Sequence, residues 1–127
     1  MIMRTILLLL LCVTFLSSCD DELTGDVLIR VENISTVSYS NIKVGDSNGT
    51  IAFKDLGPGE FSEYAIFQKA YRYAYVELQI DGLTYFIQPI DFVGEEPLRP
   101  GNYTYQLDAS ENATSSFGRL SINLISD

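Results

Sequence analysis

The side chains that enzymes use most often for chemistry are scarce in this sequence. It has no histidine, and its two cysteines, Cys12 and Cys19, both lie near the amino terminus. Without imidazole, neither a Ser-His-Asp or Cys-His arrangement nor a zinc site with imidazole ligands can be built. Gly57-Pro58-Gly59 lacks the lysine and the helix of a phosphate-binding loop, so it is interpreted as a turn. We therefore expect no enzymatic activity, no metal ion and no cofactor.

Carboxylates remain as candidates for acid–base work or for calcium binding. Two groups stand out, each in a turn: Asp91 with Glu95 and Glu96, and Glu60 with Glu63. Two carboxylates suffice for glycoside hydrolysis, and loop carboxylates are the usual ligands of calcium. Among seventeen acidic residues such groups arise on solvated loops without a role, and no Asp-x-Asp-x-Asp-Gly run is present. We interpret both groups as surface charge.

Aromatic side chains give the strongest candidate binding site. The sequence has eight tyrosines, seven phenylalanines and no tryptophan. Tyr71, Tyr73 and Tyr75 alternate, so on a strand they project from one face. Exposed there, they would stack on sugar rings or anchor a protein partner, because a tyrosine ring offers a large contact area at low entropic cost. The alternative is that the fold buries them, or that they pack against Phe86 across a hairpin.

The amino terminus predicts export from the cell. Arg4 precedes an apolar stretch from Ile6 to Phe15, which ends in serines and then in the acidic run Asp20-Asp21-Glu22. A membrane-spanning helix needs about 20 apolar residues, so this stretch is too short to span and instead fits a cleaved secretory signal.

Leu16-Ser17-Ser18-Cys19 resembles the bacterial lipobox. The resemblance implies cleavage before Cys19, a diacylglyceryl thioether on its sulfur and an acylated amino group, and two or more acyl chains anchor a protein stably. The mature chain then has no free thiol for a disulfide. The predicted organisation is a signal peptide over 1–18, a lipidated tether over 19–25 and one domain over 26–127. The alternative is an ordinary signal peptide with a chance cysteine.

The charge balance bears on partners. Without Arg4, which leaves with the signal, the formal charge of −9 becomes −10. Such a surface repels phosphate backbones and anionic headgroups, and the basic stripe that nucleic-acid binding requires is absent. We expect neither nucleic acid nor electrostatic recognition of lipid.

Alternating patterns place most of the chain on β-strands. Val27, Ile29 and Val31 follow the period of two of a half-buried strand. Ile42 and Val44 repeat this pattern, and a turn over 45–49 leads into 50–53, which together predict a hairpin. Two further strands are predicted over 103–107 and 120–124. For 61–70 a strand is favoured over a short helix capped by Ser62.

A second hairpin is the strongest local signal. Runs over 73–80 and 83–90 flank Asp81-Gly82, a pair typical of a type I′ turn, in which both central residues have positive φ. That turn fixes the register and puts three pairs on an aliphatic face: Ile80 with Leu83, Leu78 with Tyr85, and Val76 with Ile87. The opposite face carries polar and aromatic residues: Tyr73, Tyr75, Glu77, Gln79, Thr84, Phe86 and Gln88.

Seven to eight short strands separated by turns predict an all-β fold, an antiparallel two-sheet β-sandwich, with a small closed barrel as the alternative. A repeated pattern, Pro-Gly-x-aromatic-Ser/Thr, occurs at 58–62 and 100–104. This pattern resembles strand entries of immunoglobulin-like and prealbumin-like sandwiches in extracellular bacterial proteins. With the acidic run after Cys19, the whole chain resembles small lipoproteins of Bacteroidota.

That resemblance bears on location. Asp20 after the cysteine is similar to an inner-membrane retention signal of enterobacteria, whereas acidic residues there are similar to a surface-export signal in Bacteroidota. The outer membrane with surface display is favoured. Four tripeptides match the eukaryotic glycosylation sequon and are interpreted only as loops rich in Asn, Ser and Thr: Asn33-Ile34-Ser35, Asn48-Gly49-Thr50, Asn102-Tyr103-Thr104 and Asn112-Ala113-Thr114.

The predicted function is a membrane-anchored lipoprotein of the cell envelope, a non-enzymatic binding module for glycan or protein, with Tyr71, Tyr73 and Tyr75 as the candidate binding residues. The alternative is a structural or accessory subunit of an outer-membrane or surface complex, without a small-molecule ligand. In that alternative the tyrosines belong to the core and an exposed strand edge makes the contact.

Overall fold

The computed structural model describes residues 25–110 and 118–127. The predicted signal peptide, Cys19 and the tether up to residue 24 lie outside the described residues, as does the sequon at Asn112. The described parts of the chain form eight strands and no helix: β1 (Val27–Asn33), β2 (Ser40–Asp46), β3 (Gly49–Phe53), β4 (Ala65–Phe67), β5 (Val76–Ile80), β6 (Leu83–Ile87), β7 (Gly101–Ala109) and β8 (Leu120–Ser126).

The strands form two four-stranded sheets, with the orders β4-β1-β7-β8 and β3-β2-β5-β6. The predicted all-β, two-sheet fold is confirmed, and two separate sheets replace the alternative of one closed barrel. The sheets are mostly antiparallel, but β1 and β7 run parallel, with Val27 opposite Gly101 and Asn33 opposite Leu107. A parallel pair needs a long crossover, and the whole second sheet lies in the chain between these two strands.

The core lies between the sheets, because each strand turns alternate side chains inward. β1 and β5 show the cleanest alternation, with every second residue buried from Val27 to Asn33 and from Val76 to Ile80. The wholly enclosed apolar side chains come from both sheets: Ile29, Val31, Ile42, Val44, Val76, Leu78, Tyr105 and Leu107. Burial of such a side chain stabilises the fold by about 1.5 to 3 kcal/mol before entropic costs.

The hairpin between β5 and β6 has the predicted turn and register. Asp81 and Gly82 both have positive φ, at 51° and 79°, and all three predicted pairs occur. The strands are shorter than predicted, ending at Ile87 and beginning at Val76. Pro89 has no N–H for a ladder and so limits β6. Leu83 is 62 % exposed despite its place on the aliphatic face, because it follows the turn directly.

Only the centre of the segment 61–70 forms the predicted strand, as the three-residue β4. Ser62 does not cap a helix. Its hydroxyl oxygen accepts the Val31 N–H at 2.8 Å, and its own N–H donates to the Val31 carbonyl at 2.8 Å. This serine therefore extends the pairing of β1 beyond the short strand.

Asn33 belongs to the core at the end of β1, whereas the sequence predicted a loop rich in Asn, Ser and Thr. Its side chain is fully buried at the end of β1. The amide nitrogen donates to the carbonyls of Val37 (2.7 Å) and Leu56 (3.2 Å), and the amide oxygen accepts from the backbone N–H (2.9 Å) and the hydroxyl (2.7 Å) of Ser35. Buried polar groups are stabilising only when they are satisfied in this way. The sequon thus reflects a buried hydrogen-bond network.

We expect Asn33→Ala to lower the free energy of unfolding by about 3 kcal/mol, since it leaves buried carbonyls and the Ser35 hydroxyl without partners. Urea denaturation followed by circular dichroism measures this difference. Asn48→Ala, in the exposed turn between β2 and β3, is the matched control and should change stability by no more than about 0.5 kcal/mol. Equal stability of the two variants would contradict the structural role of Asn33.

Candidate functional site

The three predicted tyrosines lie immediately before β5 rather than on a strand. Tyr71, Tyr73 and Tyr75 are each half-buried, while Arg72 between them is exposed and Ala74 is buried. The alternation expected of a strand therefore persists in an irregular segment. The backbone of this segment makes hydrogen bonds to other parts of the molecule instead of joining a ladder along its whole length.

All three tyrosines line one cleft, with a volume of about 540 Å³. The facing wall comes from the end of β2 and the start of β3, including Asp46 and Thr50, and most of the lining is aromatic or small. The structure thus brings the predicted residues together at a concave surface. Apolar clefts with a few polar groups are the usual form of ligand sites in proteins.

Phe92 also lines this cleft and stacks with two of the tyrosines. Its ring centroid lies 4.6 Å from that of Tyr71 and 5.3 Å from that of Tyr73, with interplanar angles of 25° and 16°. Near-parallel aromatic pairs at such distances each contribute about 0.5 to 1.5 kcal/mol beyond burial. Phe92 docks the loop between β6 and β7, on which Ile90 and Val93 are 99 % and 89 % exposed.

Sequence reasoning missed Phe92, because the residue lies in a turn-rich acidic loop without periodicity. The acidic residues beside it were interpreted as surface charge, yet two of them fasten the loop. Glu95 forms an ion pair with Arg72 at 3.1 Å, and a carboxylate oxygen of Asp91 accepts the Val93 N–H at 2.6 Å. The one signal in the sequence that could have identified Phe92 was an aromatic residue flanked by such acidic groups.

Buried hydrogen bonds fix the backbone of the tyrosine segment. The hydroxyl of Tyr105, a core residue of β7, donates to the Tyr71 carbonyl at 2.6 Å. Burial raises the pKa of Tyr105 well above its ordinary value, so this hydroxyl keeps its proton and remains a donor. The Leu98 N–H donates to the Ala70 carbonyl at 2.8 Å.

Gly45 of β2 permits the close approach of the tyrosine segment. Its N–H donates to the Tyr75 carbonyl at 2.8 Å. A Cβ at position 45 would lie 3.0 Å from the Cβ of Tyr75, closer than nine in ten real Cβ contacts. The absence of a side chain at this position therefore lets Tyr75 lie against β2 without displacing either segment.

Asp46 holds the bend that leads into the cleft. Its carboxylate accepts backbone N–H groups from Ser47 (2.6 Å), Gln68 (3.1 Å) and Lys69 (3.1 Å). Partial burial by itself would raise the pKa of Asp46, but these donors outweigh it and hold the pKa below its ordinary value. The carboxylate is a structural acceptor, and Lys69 is one of the residues that line the cleft.

The tyrosine hydroxyls at the cleft are held by oxygen acceptors. Tyr73 donates to the Asp91 carbonyl and Tyr75 donates to a carboxylate oxygen of Glu77, both at 3.2 Å. Desolvation raises the pKa of both phenols, and the nearby carboxylates raise it further. Both phenols are therefore neutral at physiological pH and turn ring surface, not charge, to the cleft.

Within residues 25–110 and 118–127, no three His, Cys, Asp or Glu side chains are grouped closely enough to hold a metal ion. The same residues contain no helix with the length and hydropathy of a membrane span.

No family model matches the chain, and no curated protein matches it. The NMR structure of a protein from Eubacterium rectale is similar, with 16 % sequence identity and a TM-score of 0.51. The alignment covers 86 % of this chain and 93 % of that one. At this identity the likeness concerns the fold alone, and the strand pairing defines the class of the protein as a two-sheet all-β domain.

We expect Asp46→Asn to lower stability by about 1 to 2 kcal/mol at pH 7, because a neutral amide offers the three N–H donors fewer and weaker acceptors. The folded-state pKa of Asp46 is depressed, so its contribution is present above the unfolded-state pKa of about 3.9 and is lost as the pH falls through the folded-state pKa. The stabilities of wild type and variant should therefore converge as the pH is lowered from 7 to 3.

Urea denaturation at pH 7 and pH 3 measures this convergence. Glu63→Gln, which removes an exposed carboxylate elsewhere, is the control and should give no such dependence. If the free energies of unfolding of wild type and Asp46→Asn differ by the same amount at both pH values, the role of the carboxylate is contradicted.

Proposed function

We propose that the chain is a lipid-anchored, non-enzymatic binding module of the cell envelope, and that the cleft lined by Tyr71, Tyr73 and Tyr75 takes its ligand, a glycan or a protein segment. One observation carries the proposal: three half-buried tyrosines converge, with Phe92, on a single cleft. Rings held in this way offer contact surface whose ordering cost is already met by the fold.

The polar groups around the cleft favour binding over catalysis. The carboxylate of Asp46 is engaged by three backbone N–H groups, and that of Glu95 by Arg72. A general base needs a carboxylate that is free to take a proton from a bound substrate. The groups best placed for acid–base work are thus used to hold the cleft in shape.

Partial exposure of the tyrosines also favours the binding module over an accessory subunit. In that alternative these side chains would fill the core and leave no ligand surface. Tyr105 of β7 occupies the core instead, and it reaches Tyr71 through its hydroxyl. The alternative function would have to use another surface of the domain.

The proposal includes the place of the protein in the cell. The lipobox-like Leu16-Ser17-Ser18-Cys19 and the acidic residues after it support an acylated Cys19, a tether to residue 25 and display on the outer membrane of a Bacteroidota-type bacterium. Within the class of two-sheet all-β domains, we propose an immunoglobulin-like or prealbumin-like sandwich. The support is the Pro-Gly-x-aromatic pattern at 58–62 and 100–104, of which the second leads directly into β7.

Loss of ring surface should abolish binding at the cleft. We expect a Tyr73→Ala, Tyr75→Ala variant of the full lipoprotein in detergent to lose at least about tenfold in affinity for its ligand on a glycan array, since such anchors contribute about 2 kcal/mol or more. Tyr64→Ala, an exposed tyrosine outside the cleft, is the matched control. Binding by the double variant equal to that of wild type would contradict the proposal.

A photo-cross-linking residue covers the case of a protein ligand. Benzoyl-phenylalanine at position 73 should capture the ligand on intact cells, whereas the same residue at position 64 should not. Equal capture from both positions would also count against the cleft.

Acylation is expected at one position only. Cys19→Ser should lose labelling by radioactive palmitate and leave the membrane fraction, because it removes the acceptor sulfur. Cys12→Ser is the matched control, and it should still be labelled and should remain in the membrane fraction. Undiminished labelling of Cys19→Ser would contradict the lipid anchor.

A further inference from the structure

One side of the sandwich is formed by the last strands of both sheets, β6 and β8, called here the β6–β8 edge. These two strands lie against each other across the sheets. Arg119, just before β8, donates to the Tyr85 hydroxyl of β6 at 2.9 Å, and its guanidinium lies 4.6 Å from the centroid of that ring. The two strands therefore form one continuous surface.

The backbone of β8 is open along this surface. The Arg119 carbonyl accepts from Ser110 and the Asp127 N–H donates to Asn102, so the odd-numbered residues of β8 face β7. Antiparallel pairing alternates strictly. The N–H and C=O groups of the even-numbered residues, such as Ile122 and Leu124, therefore point away from β7, where the described residues provide no further strand.

Within the described residues, the strands of the β6–β8 edge lack the charges, prolines and bulges by which natural sheets block pairing. Long edge strands usually carry charges, prolines or bulges that prevent another chain from adding to them. None of the twelve residues of β6 and β8 is charged or is proline, although the predicted mature chain carries a formal charge of −10. The edge also exposes 62 % of Leu83 and 39 % of Ile125.

We propose that this edge pairs with a second copy of the chain, β8 antiparallel to β8, so that two four-stranded sheets become one sheet of eight strands. A second copy fits because the strand complements itself. Pairing centred on Asn123 joins Ile122 of one copy to Leu124 of the other by their free backbone groups, on the face that also carries the core residue Leu120.

Charge favours this edge as the place where two copies meet. Two copies with the same strongly negative charge repel each other over most approaches, and they meet at lowest electrostatic cost where the strands in contact carry no charged residue. The β6–β8 edge shares no residue with the lining of the tyrosine cleft. The proposed dimer and the proposed ligand site can therefore be tested independently of each other.

Disulfide trapping tests the pairing in the membrane. In the proposed dimer the two Asn123 residues face each other as a non-hydrogen-bonded pair, with Cα atoms about 4.5 Å apart, which suits a disulfide. Full-length Asn123→Cys, oxidised mildly in isolated membranes, should give roughly tenfold more cross-linked dimer on a non-reducing gel than Asn102→Cys. Asn102 is exposed on β7, which is paired on both sides.

A charge exchange gives a second, independent readout. Asn123→Lys should weaken the dimer, because like charges then stand directly opposite each other, and mixing it with Asn123→Glu should restore pairing as a mixed dimer. Size-exclusion chromatography with light scattering, on the acylated protein in detergent, follows both. Cross-linking of Asn123→Cys no greater than that of Asn102→Cys would overturn the proposal. A fraction of dimer that stays the same in Asn123→Lys, Asn123→Glu and their mixture would also overturn it.

Discussion

The hydrogen bond from the buried Tyr105 hydroxyl to the Tyr71 carbonyl is the interaction on which the candidate site depends. The ring of Tyr105 packs edge-on to Phe67, at a centroid distance of 6.3 Å, within the core. A buried phenol must have a partner, and here the partner is the backbone that precedes β5. The same side chain thus fills the sandwich and positions the tyrosines outside it.

The cleft follows from what surrounds this contact. Gly45 lets Tyr75 lie against β2, and the Asp46 carboxylate accepts three backbone N–H groups. Phe92 then closes the far side by stacking on Tyr71 and Tyr73. Each of these residues contributes to the cleft in a different way. Gly45 permits a close approach of the backbone, Asp46 accepts backbone N–H groups, and Phe92 supplies apolar contact. Rigid support of this kind allows half-buried rings to serve as a preformed site.

Sequence patterns predicted those parts of the fold that are determined by residues close together in the sequence. The period of two in β1 gave its buried face, and Asp81-Gly82 gave the turn and register of the β5–β6 hairpin, because positive φ at both positions is a property of those residues. The parallel pairing of β1 with β7 was beyond such reasoning, since alternation does not encode strand direction or partner. Asn33 looked like a loop residue because two of its partners, Ser35 and Val37, are local, and the bond to Leu56 that ties it to the core spans 23 residues of sequence. The tyrosines were predictable as a set, but Phe92 was not, because its stacking depends on where a long loop returns.

The proposed binding site requires a cleft that exists before any ligand binds, with the Phe92 ring stacked on Tyr71 and Tyr73. Nuclear Overhauser effects between ¹³C-labelled aromatic rings in the ligand-free protein measure this stacking. We expect strong effects from Phe92 to both tyrosine rings, together with ring-current shifts of the Phe92 resonances. Phe92 resonances at random-coil positions, without effects to either ring, would contradict a preformed cleft.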